Sequence, residues 1–385
     1  MVDSGAPREV ISKMSSNLRP KPVKEHRFDL IHISRGLAAL LVLFGHVSTA
    51  TDFRFPWLFN ALGDYPGLGV DVFFMISGFV VPWSLFVQGY TREMFPRYIL
   101  RRLVRLDPPY FAMVAAGVAL AAYRSQRAGL PFPFSLSTIA LHLGYLSGLT
   151  KHSWIMPIFW TLGIEFQFYL LMGIAYPFLP RIPAWIRSVS VTKQSARNTT
   201  SHVPTLRGLT RALLAVALLQ LAIVLINDSG VVRATWLFYC AYFGAGVLAF
   251  AVSAMGLHWG WLLAYCIIGM GVGGMSPTWL IVSALSLLVV ALPNRLSWVH
   301  TTAIGACLSG LGYISYSLYL THLLAVGALT HYAAASGWIS GPLSATAVYA
   351  GEVAIALLVA VSFYYLVEKP SLWLSHRIKL RPATP

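Results

Sequence analysis

The chain has 385 residues, 57% hydrophobic and only 11% charged, with a mean hydropathy of +0.67. A soluble domain carries roughly a quarter charged residues, so a soluble globular protein is excluded. The formal charge of +15 reads as basic loops marking the cytoplasmic face of a membrane protein, not as a nucleic-acid surface.

Residues 1–27 are polar and rich in Lys, Arg, Pro and Ser, and are expected to form a flexible cytosolic tail. Apolar runs then recur over 29–50, 67–88, 107–123, 159–180, 209–227, 235–253, 258–275, 277–293, 305–329 and 344–367. Each approaches the roughly 20 residues that a span needs. The stretch 136–149 is apolar but short, and charge decides its status. Arg92, Arg97, Arg101, Arg102 and Arg105 precede the third run, and Arg181, Arg187, Lys193, Arg197, Arg207 and Arg211 follow the fourth. Both loops fall on the inner side only if 136–149 does not cross. The expected fold is therefore an all-α transmembrane bundle of about ten spans with both termini cytosolic. Its membrane domain would cover 28–370, followed by a short cytosolic tail at 371–385. Cys240, Cys266 and Cys307 are scattered and lack metal-ligand spacing, so no metal site is expected. "GMGVGG" at Gly269–Gly274 suits close helix packing better than a nucleotide loop.

Ionisable residues inside spans cost several kcal/mol by most estimates and usually face the bundle interior. Arg35, His46, Asp71, Glu165, His322 and Glu352 are such residues. Arg35 and His46 are eleven residues apart, about 20° past three full turns and about 16 Å along the axis. One helix face thus offers a fixed cation and a group suited to proton transfer near neutral pH. Snorkelling of Arg35 and a structural bond for His46 would explain the pair equally well. Arg102 and Arg105 share a face at i,i+3 and can grip a phosphate or merely signal topology, with Arg101 beside them. Glu165 follows Trp160 and Thr161 in "FWTLGIEFQFYLL". It could orient a histidine, hold a sugar hydroxyl or pair with a cation, and Trp160 could stack on a sugar or belong to an interfacial belt. In "GYISYSLYLTHLL", Ser315, Tyr319 and His322 form a polar stripe, either cavity lining or structural. Asp71, in "GVDVFFMISGF", could pair with a histidine or with Arg35.

Together these stretches resemble the acyltransferase-3 family of integral membrane acyltransferases. Arg35 and His46 resemble its arginine–ten residues–histidine motif, and Arg102 with Arg105 its R-x-x-R element. "WTLGIEFQFYLL" is similar to its W-[ST]-L-x-x-E-x-x-F-Y-L stretch and "SYSLYLTH" to its C-terminal Ser-Tyr…Tyr-Leu…His stretch. Gly163, where a serine is frequent, and Asp107, in a proline-rich junction, depart from the pattern. The resemblance implies transfer of a non-aminoacyl group, usually acetyl, from acyl-CoA to a hydroxyl of a saccharide, glycoconjugate or other acceptor. No bound cofactor is implied. A multi-pass protein of the bacterial inner membrane is expected, and the end soon after "LVEKP" implies a standalone transferase.

Combining both readings, His46 is the expected general base, with a transient acyl-histidine left open. Arg35 and Glu165 complete the catalytic set. Arg101, Arg102 and Arg105 would bind acyl-CoA. Asp71, Trp160, Ser315, Tyr319 and His322 would line the cavity or contact the acceptor. A transporter or flippase of a lipid-linked saccharide would need a similar cavity but leave its cargo unchanged. A sensor or scaffold would not need the Arg35–His46 register.

Overall fold

The computed structural model describes residues 26–50, 67–150, 153–178, 235–255, 257–273, 276–291 and 302–380. The expected span 209–227, the basic loop at 181–211 and most of the N-terminal tail lie outside the described residues. Those described are almost wholly helical: α1 His26–Ala50, α2 Leu68–Val87, α3 Phe95–Ala128, α4 Leu136–Leu143, α5 Phe159–Ala175, α6 Cys240–Met255, α7 Trp259–Gly273, α8 Pro277–Ala291, α9 Ala303–Tyr313, α10 Ser315–Ala335, α11 Pro342–Phe363 and α12 Lys369–Arg377. A π turn, Tyr364–Glu368, joins the last two.

Among the described residues, four helical segments are long and apolar enough to cross a membrane: Leu30–Val47, Leu68–Val87, Arg92–Ala128 and Pro342–Arg377. The α9–α10 pair makes a fifth if its 78° bend is counted within one span. Helices α5, α6, α7 and α8 are apolar but shorter, at roughly 22–26 Å against a hydrocarbon core of about 30 Å. The stretch 136–149 holds the eight-residue α4, about 12 Å long and too short to cross, and a 3-10 turn at Ser147–Leu149.

Two expected spans differ in shape from the sequence reading. The run at 107–123 is the outer part of α3, which starts at Phe95 and carries its arginines within the helix. The run at 305–329 is broken at Ile314, where Ser315 Oγ turns back to donate to the Gly312 carbonyl at 2.8 Å. Residues of the expected C-terminal tail continue as α12, which packs on the start of α3.

Lipid tails are as apolar as leucine, so helices in a membrane associate through close packing at small residues. Helices α1 and α9 interlock this way. A Cβ on Gly36 would overlap the Leu308 carbonyl, and one on Gly312 the His32 carbonyl. In the α2–α6 pair, Gly78 lies against Phe243 and Gly246 against Met75, again with no room for a Cβ. The side chain of Gly36→Leu would force α1 from α9 and shift the neighbouring Arg35. Overpacking costs about 1–3 kcal/mol or more, so a lowered melting temperature of the detergent-solubilised protein is expected. An unchanged melting temperature would refute the tight interlock.

Candidate active site

Helices α1, α2, α3, α5 and α10 surround a cavity of about 100 Å³. Its wall carries Arg35, Arg102, Arg105, Glu165, Ser315 and Tyr319, all singled out from the sequence, together with Ser77, Thr161, Tyr169 and Tyr316, to which the sequence reading gave no role. Three guanidiniums and one carboxylate thus share one cavity at the arginine-rich end of α3.

Each charge has a defined setting. Arg35 donates to Ser315 Oγ from Nε at 3.2 Å and from Nη2 at 3.0 Å. The bend before α10 places that hydroxyl opposite α1. Glu165 accepts from Ser77 Oγ at 2.9 Å and from the Tyr169 hydroxyl one turn along α5. The Arg102 guanidinium lies 4.9 Å from the Tyr169 ring centre and 5.5 Å from that of Tyr98, within cation–π range. Glu368 was not singled out from the sequence. The π turn brings its carboxylate to Ser317, accepting from N at 3.1 Å and Oγ at 2.5 Å, and its charge acts on Arg105 and Arg35. With three guanidiniums against one carboxylate on its wall, the cavity carries net positive formal charge, which favours a negatively charged group. A second cavity of about 60 Å³ adjoins Arg102 and Arg105 and includes Arg101, which donates to Gln88 Oε1 at 2.8 Å, and His376 of α12.

His46 and His322 stand beyond the opposite end of the first cavity. Their rings are 4.9 Å apart, nearly edge-on at 63°. A carbonyl can only accept, so the Nδ1–H of His46 donates to the Val42 carbonyl at 2.8 Å, and that of His322 to the Tyr319 carbonyl at 2.7 Å. This tautomer puts the basic lone pair on Nε2 in both rings. His322 is 1% exposed, and its Nε2 meets no hydrogen-bond partner among the described residues. Tyr319 bridges the two regions. Its ring centre is 5.9 Å from that of His322, and its hydroxyl bonds Thr161 Oγ1 at 2.6 Å and the Ile158 carbonyl at 3.1 Å.

Other expected site residues sit elsewhere. Trp160 packs in an aromatic cluster with Phe74 and Tyr239, at 6.3 and 5.4 Å between ring centres. The partner seen for Asp71 is Tyr242 on α6. The Val42 carbonyl orients His46, the task the sequence reading offered to Glu165 or Asp71. Glu352 accepts from Thr330, away from the cavity. His142 is structural: Nδ1–H donates to the Thr138 carbonyl at 2.8 Å, and Nε2 accepts from Ile155 N at 3.2 Å.

The non-crossing stretch also inserts a residue into the bundle. Tyr145 holds φ at +60°, a conformation rare for non-glycine residues. Its ring stacks between Tyr110 at 4.8 Å and Phe166 at 4.7 Å. Burial pushes its phenol well above the ordinary range, and the neighbouring Tyr316 and Asp107 push it further. It therefore stays protonated and donates to Asp107 Oδ1 at 2.9 Å. Tyr145→Phe keeps the stack but strips Asp107 of its donor. A loss of about 1–3 kcal/mol is expected, read as a lower denaturation midpoint, and an unchanged midpoint would count against this role.

Fold and site together define an integral membrane helix bundle with an anion-ready cavity beside a histidine pair. Residues 29–192 match the family described as an acyltransferase domain. A 156-residue stretch is 31% identical to a Komagataeibacter xylinus protein named as a membrane-bound transacylase, BcsY. That match covers 38% of this chain and 36% of the relative, so it spans about a third of the relative's length. No solved structure matches the chain. The family match ends before Ser315, Tyr319, His322 and Glu368, yet the fold returns them to the site the matched segment begins.

Proposed function

We propose that the chain is a membrane O-acyltransferase moving an acyl group, acetyl in the simplest case, from acyl-CoA to a hydroxyl of a saccharide or related acceptor. The observation that carries this reading is the single cavity in which Arg35, Arg102 and Arg105 converge, one tyrosine away from a histidine pair. The diphosphate of coenzyme A is cytosolic and anionic, and the arginine-rich end is cytosolic by the positive-inside rule. Guanidiniums match phosphate geometry bidentately. With phosphates held by Arg102 and Arg105, the pantetheine arm points along the cavity towards Tyr319 and the histidines.

His46 then acts as general base. Its Nε2 takes the proton of the acceptor hydroxyl as that oxygen attacks the thioester carbonyl. The tetrahedral intermediate collapses, the C–S bond breaks, and the thiolate recovers the proton from the imidazolium. An ester and free coenzyme A result. The proposed setting is a bacterial inner membrane.

The test is the ester-linked acyl content of surface glycans and extractable saccharides in cells making the intact chain, His46→Ala at equal membrane abundance, or neither. New ester with the intact chain alone is the expected result. Acyl-CoA left unconsumed by the purified protein, with an unmodified saccharide moved between compartments, would overturn the reading in favour of a carrier.

A further inference from the structure

A larger groove, about 1240 Å³, opens between α3 and α10 at the end opposite the arginine-rich one. It continues the first cavity along the same two helix faces. Eighteen residues make five full turns, so on α3 Leu120 and Tyr123 in the groove stand directly beyond Arg102 and Arg105 in the cavity. On α10, Leu323 and Gly327 lie within about 20° of Tyr316. Between the two, the Tyr319–Thr161–Ile158 closure and the buried side chains of Tyr110, Met113, Phe159 and Leu320 fill this seam.

Depth agrees with alignment. Along α1, His46 is eleven residues beyond Arg35, and along α3 the first groove residue, Ala116, is eleven beyond Arg105. Both steps come to about 16 Å. The groove therefore begins at the level of the histidine pair and extends outward, roughly 18 Å further to Ala128. Its floor is apolar. Its rim changes character and carries Arg124, Arg127, His331 and two exposed tyrosines, Tyr123 and Tyr332, with no carboxylate among the lining residues. Arg124 and Arg127 are i,i+3 neighbours, spaced to hold one anion between them.

We infer that this groove is the acceptor site, and that it takes an acidic saccharide: a hydroxylated ring lying against the tyrosine faces, with a carboxylate or phosphate substituent on Arg124 and Arg127. The inference rests on the acyl-transfer reading. Donor and acceptor would enter from opposite ends of one seam and meet at the histidines.

The test uses the full chain in phosphatidylcholine nanodiscs, with oligogalacturonate as acidic probe and maltohexaose as neutral probe of similar length. The expected result is tighter binding of the acidic probe. Arg124→Ala with Arg127→Ala should weaken that binding at least tenfold and erase the preference. A Cβ on Gly327 meets no atom within 4 Å, so Gly327→Phe should fill the groove without disturbing the fold and abolish binding of both probes. Equal binding of the two probes, no binding of either, or indifference to these substitutions would overturn the inference. So would loss of acidic binding in discs containing phosphatidylglycerol, because the arginines would then be holding bulk lipid headgroups. Acetyl-CoA binding by the unmodified protein in the same discs tests the donor reading separately, so failure of one is not mistaken for failure of the other.

Discussion

His46→Ala is expected to lower acyl transfer by about 10²–10⁴-fold, the usual cost of losing a positioned base. The structure gives two reasons to assign the effect to chemistry. His46 is only half-buried, four residues from the end of α1, so its truncation leaves no large internal cavity. The ring is also anchored through Nδ1 to a carbonyl of its own helix. The fall should therefore appear in kcat, with the KM for acyl-CoA and the melting temperature nearly constant. His46→Gln restores a polar group but no base and should be equally impaired. A purified His46→Ala protein turning over at the unmodified rate would remove His46 from the mechanism.

Arg105→Ala should act on the other side of that division. Arg105 lines both the main cavity and its smaller neighbour, so a ligand passing between them contacts it. Hydrogen bonds to charged groups contribute about 1.5–3 kcal/mol, which corresponds to a KM for acyl-CoA raised about 10- to 150-fold. Arg105→Lys keeps the charge but loses the planar fork and should recover only part of the affinity. Steady-state kinetics against acyl-CoA concentration checks both variants. A KM unchanged in Arg105→Ala would mean that the donor does not pass this residue.

Part of the site could be read from residue type alone, because charge inside an apolar run is costly and must face something. That reasoning picked out Arg35 and Glu165, while helix spacing and the family resemblance picked out Arg102, Arg105, Ser315 and Tyr319; the fold brings these six to one cavity, whose wall does not include His46 or His322. Spacing within one helix could not reveal which neighbour each residue meets. Hence Asp71 finds Tyr242 and Trp160 finds Phe74 and Tyr239, partners set by helix packing that no local pattern encodes. Glu368 escaped notice because its place depends on a π turn, a backbone adjustment without a composition signal. Hydropathy likewise hid the true start of α3. Arginines lower the local average, so the apolar run seems to open at 107 although the helix begins at Phe95.

The Tyr319–Thr161–Ile158 closure also has an electrical consequence. A seam with an aqueous cavity at each end would, if continuous, conduct protons and small ions. Moving one charge through a membrane potential releases about 2.3 kcal/mol per 100 mV, so even a rare leak would drain stored energy. These hydrogen-bonded groups, with the buried side chains of Tyr110, Met113, Phe159 and Leu320 between the two voids, keep the seam insulating. The field then drops across that packed region rather than across either void.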